Sequence, residues 1–304
     1  MNEVEWNINY SNTHIIPCKY DYYEPKSLNE AIEILSKYGP SAKILAGGTD
    51  LLILIKMGVL KPKCIVNIKK ISDLNGIREH KDQLIIGALT KLRTLEKSKI
   101  IKENFTALYE AVKSMASIQI RNMATVGGNL CNASPAADTA PPLMVFNAFL
   151  RIAGPDREKI IPITSFFKGP KRTILNHNEI LTEIILSYPS SRTGSAFIKI
   201  ARTAMDLAKA NVAVKLVIRE DNVVEDVAVA LGSVAPTPVR AFSVEKYLHG
   251  KIFSEEIALE ASKLVVKDIS PITDARSTAE YRRYISKVIT YEALVKAFRR
   301  AKRR

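Results

Sequence analysis

Cysteine is scarce in this chain. Its 304 residues include three, Cys18, Cys64 and Cys131, which lie far apart and form no CxxC pair. That spacing excludes a disulfide framework, a zinc ribbon and a self-contained four-cysteine iron–sulfur site. Each thiol is expected as an isolated buried side chain. Histidine is equally sparse: His14, His80, His177 and His249 show no metal-binding spacing such as HExxH. Long apolar runs are missing too. The most apolar stretch, 51–60, is interrupted by Lys56 and falls short of the ~18 residues that span a bilayer. The first fourteen residues are polar and acidic, without the basic and apolar regions of a secretory signal. A soluble, cytoplasmic protein with no resident metal is predicted.

Acidic residues are in deficit. There are 45 Lys and Arg against 31 Asp and Glu, a formal net charge of +14. Such a balance raises nucleic acid, an anionic membrane surface or acidic partners as ligands. No RRM, KH, helix-turn-helix or zinc-finger signature accompanies it, and the basic residues are not interleaved with aromatics. Half of the excess falls after position 270, and five of the last six residues, 299–304, are basic. That end reads as a solvated helix face or as a docking surface for an acidic partner. An apolar fraction of 47% with 25% charged residues excludes whole-chain disorder and leaves enough core for two or three domains.

The pattern along the chain predicts an α+β protein. Residues 14–75 read as β-α-β. Ser27 and Glu30 form a capping box for a helix through Tyr38, closed by Gly39. A strand at 42–46, a short helix from Asp50 and a strand at 64–68 follow. Residues 76–190 mix strands at 83–88, 148–153, 160–163 and 180–188 with a helix over 103–116. That helix would carry Leu108, Val112 and Met115 on one face. Gly127-Gly128 is expected to open a loop. The composition of 189–194 marks the boundary to a second domain, 191–304. There three antiparallel strands, 196–201, 212–218 and 223–232, precede helices at 241–248, 254–267 and 278–302. Ser277 and Glu280 would cap the last.

Two segments carry chemistry. In Ile44-Leu45-Ala46-Gly47-Gly48-Thr49-Asp50-Leu51 a glycine pair follows a strand and precedes a helix. In Thr125-Val126-Gly127-Gly128-Asn129 a second pair precedes ASPAAD, which ends at Asp138. Glycines there let the backbone approach a phosphate, with free N–H groups and a helix N-terminus supplying positive potential. Neither segment is GxGxxG or GxxxxGK[ST], so Rossmann and P-loop readings fail on spacing. A single Gly-Gly turn is an ordinary structural device. Two of them, flanked by hydroxyls, an amide and a carboxylate, suit the two phosphates and the sugar hydroxyls of a dinucleotide.

AGGTDL, RNMATVGGNLCNASPAADTAPPL, FFKGPKRTILNHNEILTEI, AFIKIARTAMDLAKAN and DARSTAEYRR occur here in that order. Together they resemble the FAD-binding medium subunits of molybdenum hydroxylases, the group of the carbon monoxide dehydrogenase medium chain and the FAD domain of xanthine dehydrogenase. The resemblance spans roughly residues 15–300. It implies a two-subdomain FAD-binding fold of the vanillyl-alcohol oxidase type over 14–190, with halves 14–75 and 76–190, then the family's C-terminal α+β domain. It implies that residues 44–51, with Gly47, Gly48 and Thr49 at the pyrophosphate, form the first FAD loop. Residues 125–129 form the second. Asp138 would bind the dinucleotide, Leu181 would offer a backbone contact to the isoalloxazine, and Lys199 would lie near the flavin ring. Met115 stands where relatives place an aromatic against the cofactor, and Arg202-Thr203 where relatives often have two arginines.

The implied activity is electron transfer. A large molybdenum–pterin subunit would hydroxylate substrate, and a small subunit with two [2Fe–2S] clusters would pass electrons to FAD on this chain. FAD would then serve an external acceptor. A dimer of heterotrimers is the expected assembly. Three dispersed cysteines do not support the 4-hydroxybenzoyl-CoA reductase branch, which carries an extra cluster. The alternatives are a stand-alone FAD-dependent oxidase on the same fold and a basic nucleic-acid-binding protein.

Overall fold

The computed structural model describes residue 16 and residues 18–303. The acidic N-terminal stretch, the expected domain start at 14 and Arg304 lie outside the described residues.

The first layer is parallel. Strand β1 (Asp21–Tyr23), helix α1 (Leu28–Tyr38), β2 (Ala42–Leu45), α2 (Leu51–Lys56) and β3 (Cys64–Asn67) build a three-stranded sheet in the order β1-β3-β2. Ser27 caps α1 by accepting from the Glu30 N–H, and the Glu30 carboxylate reaches back to the Lys26 N–H at 2.8 Å. Ala31, Ile32 and Leu35 give α1 its buried stripe.

The second sheet is antiparallel. It contains β4 (Ile77–His80) and β5 (Gln83–Gly87), then β6 (Phe149–Ala153), β7 (Glu158–Pro162) and β10 (Ile180–Ser187), in the order β4-β5-β10-β6-β7. Six helices intervene: α3 (Leu92–Lys97), α4 (Lys99–Asn104), α5 (Thr106–Lys113), α6 (Ile118–Met123), α7 (Val126–Cys131) and α8 (Ala140–Val145). A two-stranded hairpin of β8 (Phe167–Gly169) and β9 (Arg172–Thr173) precedes β10. The helix expected over 103–116 is two helices, because Phe105 leaves helical geometry at φ −122°, ψ 52°. Its ring is fully buried against Phe146, so burial of one aromatic sets the break. Leu108, Val112 and Met115 are buried as expected.

The C-terminal part contains β11 (Thr193–Ile200), β12 (Ala210–Ile218), β13 (Val224–Gly232) and β14 (Val239–Arg240), then α9 (Phe242–Leu248), α10 (Glu255–Lys263) and α11 (Ala279–Ala301). Its sheet has four antiparallel strands rather than the expected three. The fourth, β14, pairs only Arg240 and Val239 with β13, too short to show a period. Thr278, not Ser277, caps α11, accepting from the Tyr281 N–H at 3.1 Å. Ser277 is instead held to Asp274.

Both faces of this sheet are covered, which explains its nearly continuous apolar strands. Phe197, Ala213, Ala228 and Ala230 pack into the core that holds α5 and α8. Their neighbours Ala196, Val212, Val214, Val227, Val229 and Leu231 pack under α11. Three of the four residues on the first face are alanines, which seats the sheet tightly against the preceding helices. Glu110 on α5 closes the seam, accepting from Arg300 Nη2 at 2.7 Å, Lys296 Nζ at 2.9 Å and the Phe197 N–H at 2.9 Å. The basic chain end is therefore partly an internal clamp. Arg299 pairs with Glu255 at 3.0 Å on the surface, while Lys302 and Arg303 are exposed. Among the described residues no helix is long and apolar enough to cross a membrane.

Candidate cofactor site

The two glycine segments meet. Gly127 and Val126 donate their N–H groups to the carbonyls of Ala88 and Thr90 at 2.9 and 3.0 Å, and Leu92 donates to Ala124 at 2.9 Å. These bonds strap the second segment to the chain after β5. The first segment then lies on the second. A Cβ at Gly47 would overlap the Met123 carbonyl oxygen and lie 2.8 Å from Ala124 Cα. A Cβ at Gly127 would lie 2.6 Å from Ala88 Cβ. One glycine of each pair is thus required by backbone packing. Gly48 is required by conformation, at φ +77°.

Gly127-Gly128 does not open a loop; it lies in the first turn of α7. Thr125 caps that helix, accepting from the Gly128 N–H at 3.1 Å. Its hydroxyl competes favourably with solvent for a free helix N–H, which allows two glycines to be helical.

A cavity of about 580 Å³ lies between the segments, within the range of small-molecule and cofactor sites. Its wall includes Ile44, Ala46, Gly47, Gly48, Thr49, Asp50 and Leu51 from the first segment. Thr125, Gly127, Gly128 and Asn129 come from the second, and Leu181 from β10. Among the described residues, no protein acceptor takes the N–H groups of Gly47, Gly48 and Thr49. Three unpaired donors around a left-handed glycine make an anion cradle. In the second segment the N–H groups of Val126, Gly127, Gly128 and Asn129 are satisfied internally, so the two segments are not equivalent. Leu181 sits at a register shift between β10 and β6, where a bulge re-aims a side chain.

Four of the expected residues are not on this wall. Leu45 and Val126 are buried beneath it. Asp138 and Lys199 form an ion pair at 2.7 Å, both almost fully buried, and Asn211 Nδ2 donates to the other Asp138 oxygen at 2.7 Å. Burial pushes the Asp138 carboxyl above its ordinary value, with Lys199 and Asn211 acting against that shift. Lys199 also lines a second, more open concavity of about 810 Å³ with Lys113, Arg121 and Arg202. Arg202 pairs with Asp206 at 3.0 Å. Met115 is a core side chain.

Sequence reasoning missed part of the wall. Lys43, Leu54, Val59 and Leu60 lie on it, as do Cys131, Asn132, Lys171 and Glu179. Only Lys171, in the Gly-Pro-Lys turn of the β8–β9 hairpin, carried a local signal. Burial pushes the Cys131 thiol up to about 12, although the residue is only half-buried on the cavity wall. Among the described residues no group of three or more His, Cys, Asp or Glu side chains is placed to hold a metal ion.

Residues 18–189 match the family described as the FAD binding domain in molybdopterin dehydrogenase. Residues 195–297 match the CO dehydrogenase flavoprotein C-terminal domain. The chain is 33% identical over 286 residues to the carbon monoxide dehydrogenase medium chain of Hydrogenophaga pseudoflava, covering 94% of this chain and 99% of that one. It is 31% identical over 277 residues to the glyceraldehyde dehydrogenase medium chain of Sulfolobus acidocaldarius, covering 91% and 98%. Among solved structures, the carbon monoxide dehydrogenase of Hydrogenophaga pseudoflava that lacks the Mo-pyranopterin moiety superposes with a TM-score of 0.91 at 33% identity. That match covers 94% of this chain and 99% of that one.

Proposed function

The chain belongs to the FAD-binding medium subunits of the molybdenum hydroxylases, and from that premise we propose that the cavity between the two glycine segments holds its FAD. The observation that carries this reading is the run of three N–H groups at Gly47, Gly48 and Thr49, unpaired among the described residues, on the wall of a cavity of cofactor size. Bound there, FAD would supply the redox chemistry that links iron–sulfur clusters on a partner to an external acceptor. The chain's own residues bind and orient it. The first segment holds the pyrophosphate through backbone donors. Thr125, Gly128 and Asn129 form the facing wall, and Leu181 with Ile180 offers β10 backbone and apolar surface to the ring.

Asp138 and Lys199 stand off the wall and are engaged with each other. Their proposed role is therefore to fix the ASPAAD segment against β11 and β12. A direct contact with the cofactor would require their ion pair to rearrange.

The partners are a small subunit with two [2Fe–2S] clusters and a large molybdenum–pterin subunit, assembled as a dimer of heterotrimers in the cytoplasm. The proposed division of the chain is 14–190, a two-subdomain FAD-binding unit of the vanillyl-alcohol oxidase type, and 191–304. The large subunit sets the substrate. Purification of the complex through a tag on this chain tests the reading. The expected result is one FAD per chain accompanied by iron and molybdenum. A colourless chain that purifies alone and takes up no FAD would overturn it.

A further inference from the structure

Lys171 is the least expected cation of the cavity wall. It stands at the turn between β8 and β9, and its backbone has φ +59°, the left-handed region where glycine or asparagine is the ordinary choice. Its N–H donates to the Ala133 carbonyl at 2.8 Å, which ties the hairpin to the segment after α7. Its Nζ donates to Asn132 Oδ1 at 2.8 Å. Asn132 Nδ2 in turn donates to Asp50 Oδ1 at 2.9 Å. Lys171 is thus two hydrogen bonds from Asp50, and Asp50 follows Thr49, the last residue of the N–H cradle.

Among the described residues the ammonium has no carboxylate of its own, and its one polar side-chain partner is a neutral amide oxygen. The other carboxylate on the wall, Glu179, is taken by Lys159 at 2.6 Å and by the Asn176 N–H. An ammonium on the wall of the same cavity as the unpaired N–H donors, with no acid in direct contact among the described residues, favours an anion between them.

We propose that Lys171 is a further binding residue of this site, closing over the pyrophosphate of the dinucleotide from the side opposite the Gly47–Thr49 cradle. Asn132 positions it, holding Nζ toward the cavity and linking the hairpin to the first glycine segment through Asp50. This inference rests on the FAD reading above and adds a side-chain cation to a cradle otherwise made of backbone donors. The hairpin then acts as the clamp on the phosphates, distinct from the β10 contact to the ring.

The test uses the complex purified through a tag on this chain, stripped of flavin and titrated with FAD, ADP and riboflavin. Binding is read by flavin fluorescence and by displacement of FAD with ADP. Lys171→Met is expected to weaken FAD and ADP each by about 10- to 100-fold and to leave riboflavin unchanged, because riboflavin has no phosphate. It is also expected to flatten the salt dependence of FAD binding. Lys171→Arg is expected to restore most of the affinity. Asn132→Ala, which keeps the charge, is expected to weaken FAD by less than about 10-fold. Equal FAD affinity in wild type and Lys171→Met overturns the inference and leaves the FAD reading intact. So does an equal loss for riboflavin. If Lys171→Met does not assemble, a wild-type FAD affinity that is independent of salt overturns it instead. A wild-type complex that binds neither FAD nor ADP overturns the FAD reading itself.

Discussion

Replacing Lys199 by methionine isolates what the buried pair contributes. The substitution keeps chain length and removes the charge that faces Asp138 at 2.7 Å. Asp138 is 3% exposed and retains only the Asn211 amide. Removing one partner of a buried ion pair destabilises by about 3–5 kcal/mol, because the remaining carboxylate is uncompensated. The carboxyl escapes part of that penalty by keeping a proton, so the loss depends on pH. Burial already holds Asp138 above its ordinary value, and loss of Lys199 moves it higher. A group raised in the folded state stabilises below its unfolded value and loses that contribution as pH rises through the folded one. The gap between wild type and variant is therefore small near pH 4. It widens by up to about 1.4 kcal/mol per pH unit and levels off at its full size. At about 2–4 °C per kcal/mol, the melting temperature falls by about 6–20 °C at pH 8. Asp138→Asn in the Lys199→Met background removes the unpaired charge and recovers most of the loss. Scanning calorimetry of wild type, Lys199→Met and the double variant at pH 5, 6.5 and 8 measures all of this. A gap that does not change with pH, or a double variant no better than Lys199→Met, refutes the reasoning.

Gly47→Ala drives a methyl group into the backbone of Met123 and Ala124, which cannot give way as a side chain would. A loss of about 2–3 kcal/mol and at least tenfold weaker FAD binding are expected, checked by thermal melts and flavin titration. Gly194→Ala meets α11 at Ala297, with Ala301 N at 2.6 Å; it lowers the melting temperature by a similar amount without touching the cavity. Glu110→Gln tests the seam. Burial pushes the Glu110 carboxyl up, but Arg300, Lys296 and the Phe197 N–H outweigh it and hold it below the ordinary value. Its contribution is present above about pH 4.3, the unfolded value, and is lost as pH falls through the folded one. The variant is expected to be about 1.5–3 kcal/mol less stable at pH 7, with a gap that narrows as the pH falls from about 4.3 toward 3. Urea titrations at both pH values decide it.

The repeating patterns were legible in the sequence. Helix α1 follows from the Ser27–Glu30 capping box and the Gly39 stop, and the three long strands of the C-terminal sheet lie close to the expected 196–201, 212–218 and 223–232. What failed was local and set by tertiary contact. Phe105 breaks a helix because its ring is taken by Phe146, a contact 41 positions away. Gly127 and Gly128 are helical because Thr125 caps them and Ala88 receives the chain, although glycine alone argues for a loop. Short β14 has no period to read. The site divides in the same way. The first glycine segment was evident from its strand–Gly-Gly–helix spacing and the second from its flanking Thr125 and Asn129, and both line one cavity. The unequal use of their N–H groups was not, since it depends on which segment the chain after β5 straps down. Asp138 and Lys199 lie 61 positions apart, and no spacing rule joins them. Asn132 was invisible for the same reason, and Lys171 carried only the local signal of its Gly-Pro-Lys turn.

Gly48 is the position at which the proposed hold of the first glycine segment on FAD is most directly broken. Gly48 sits at φ +77°, with Leu52 and Leu45 side-chain carbons within 3.1 Å of a Cβ placed there, so Gly48→Val distorts the cradle while leaving the seam to the C-terminal sheet untouched. The direct measurement is FAD per chain in complexes purified through this chain, with iron and molybdenum counted alongside. One FAD per chain is expected in wild type and almost none in Gly48→Val, with both metals retained in both. Full FAD occupancy in a folded Gly48→Val complex would contradict it.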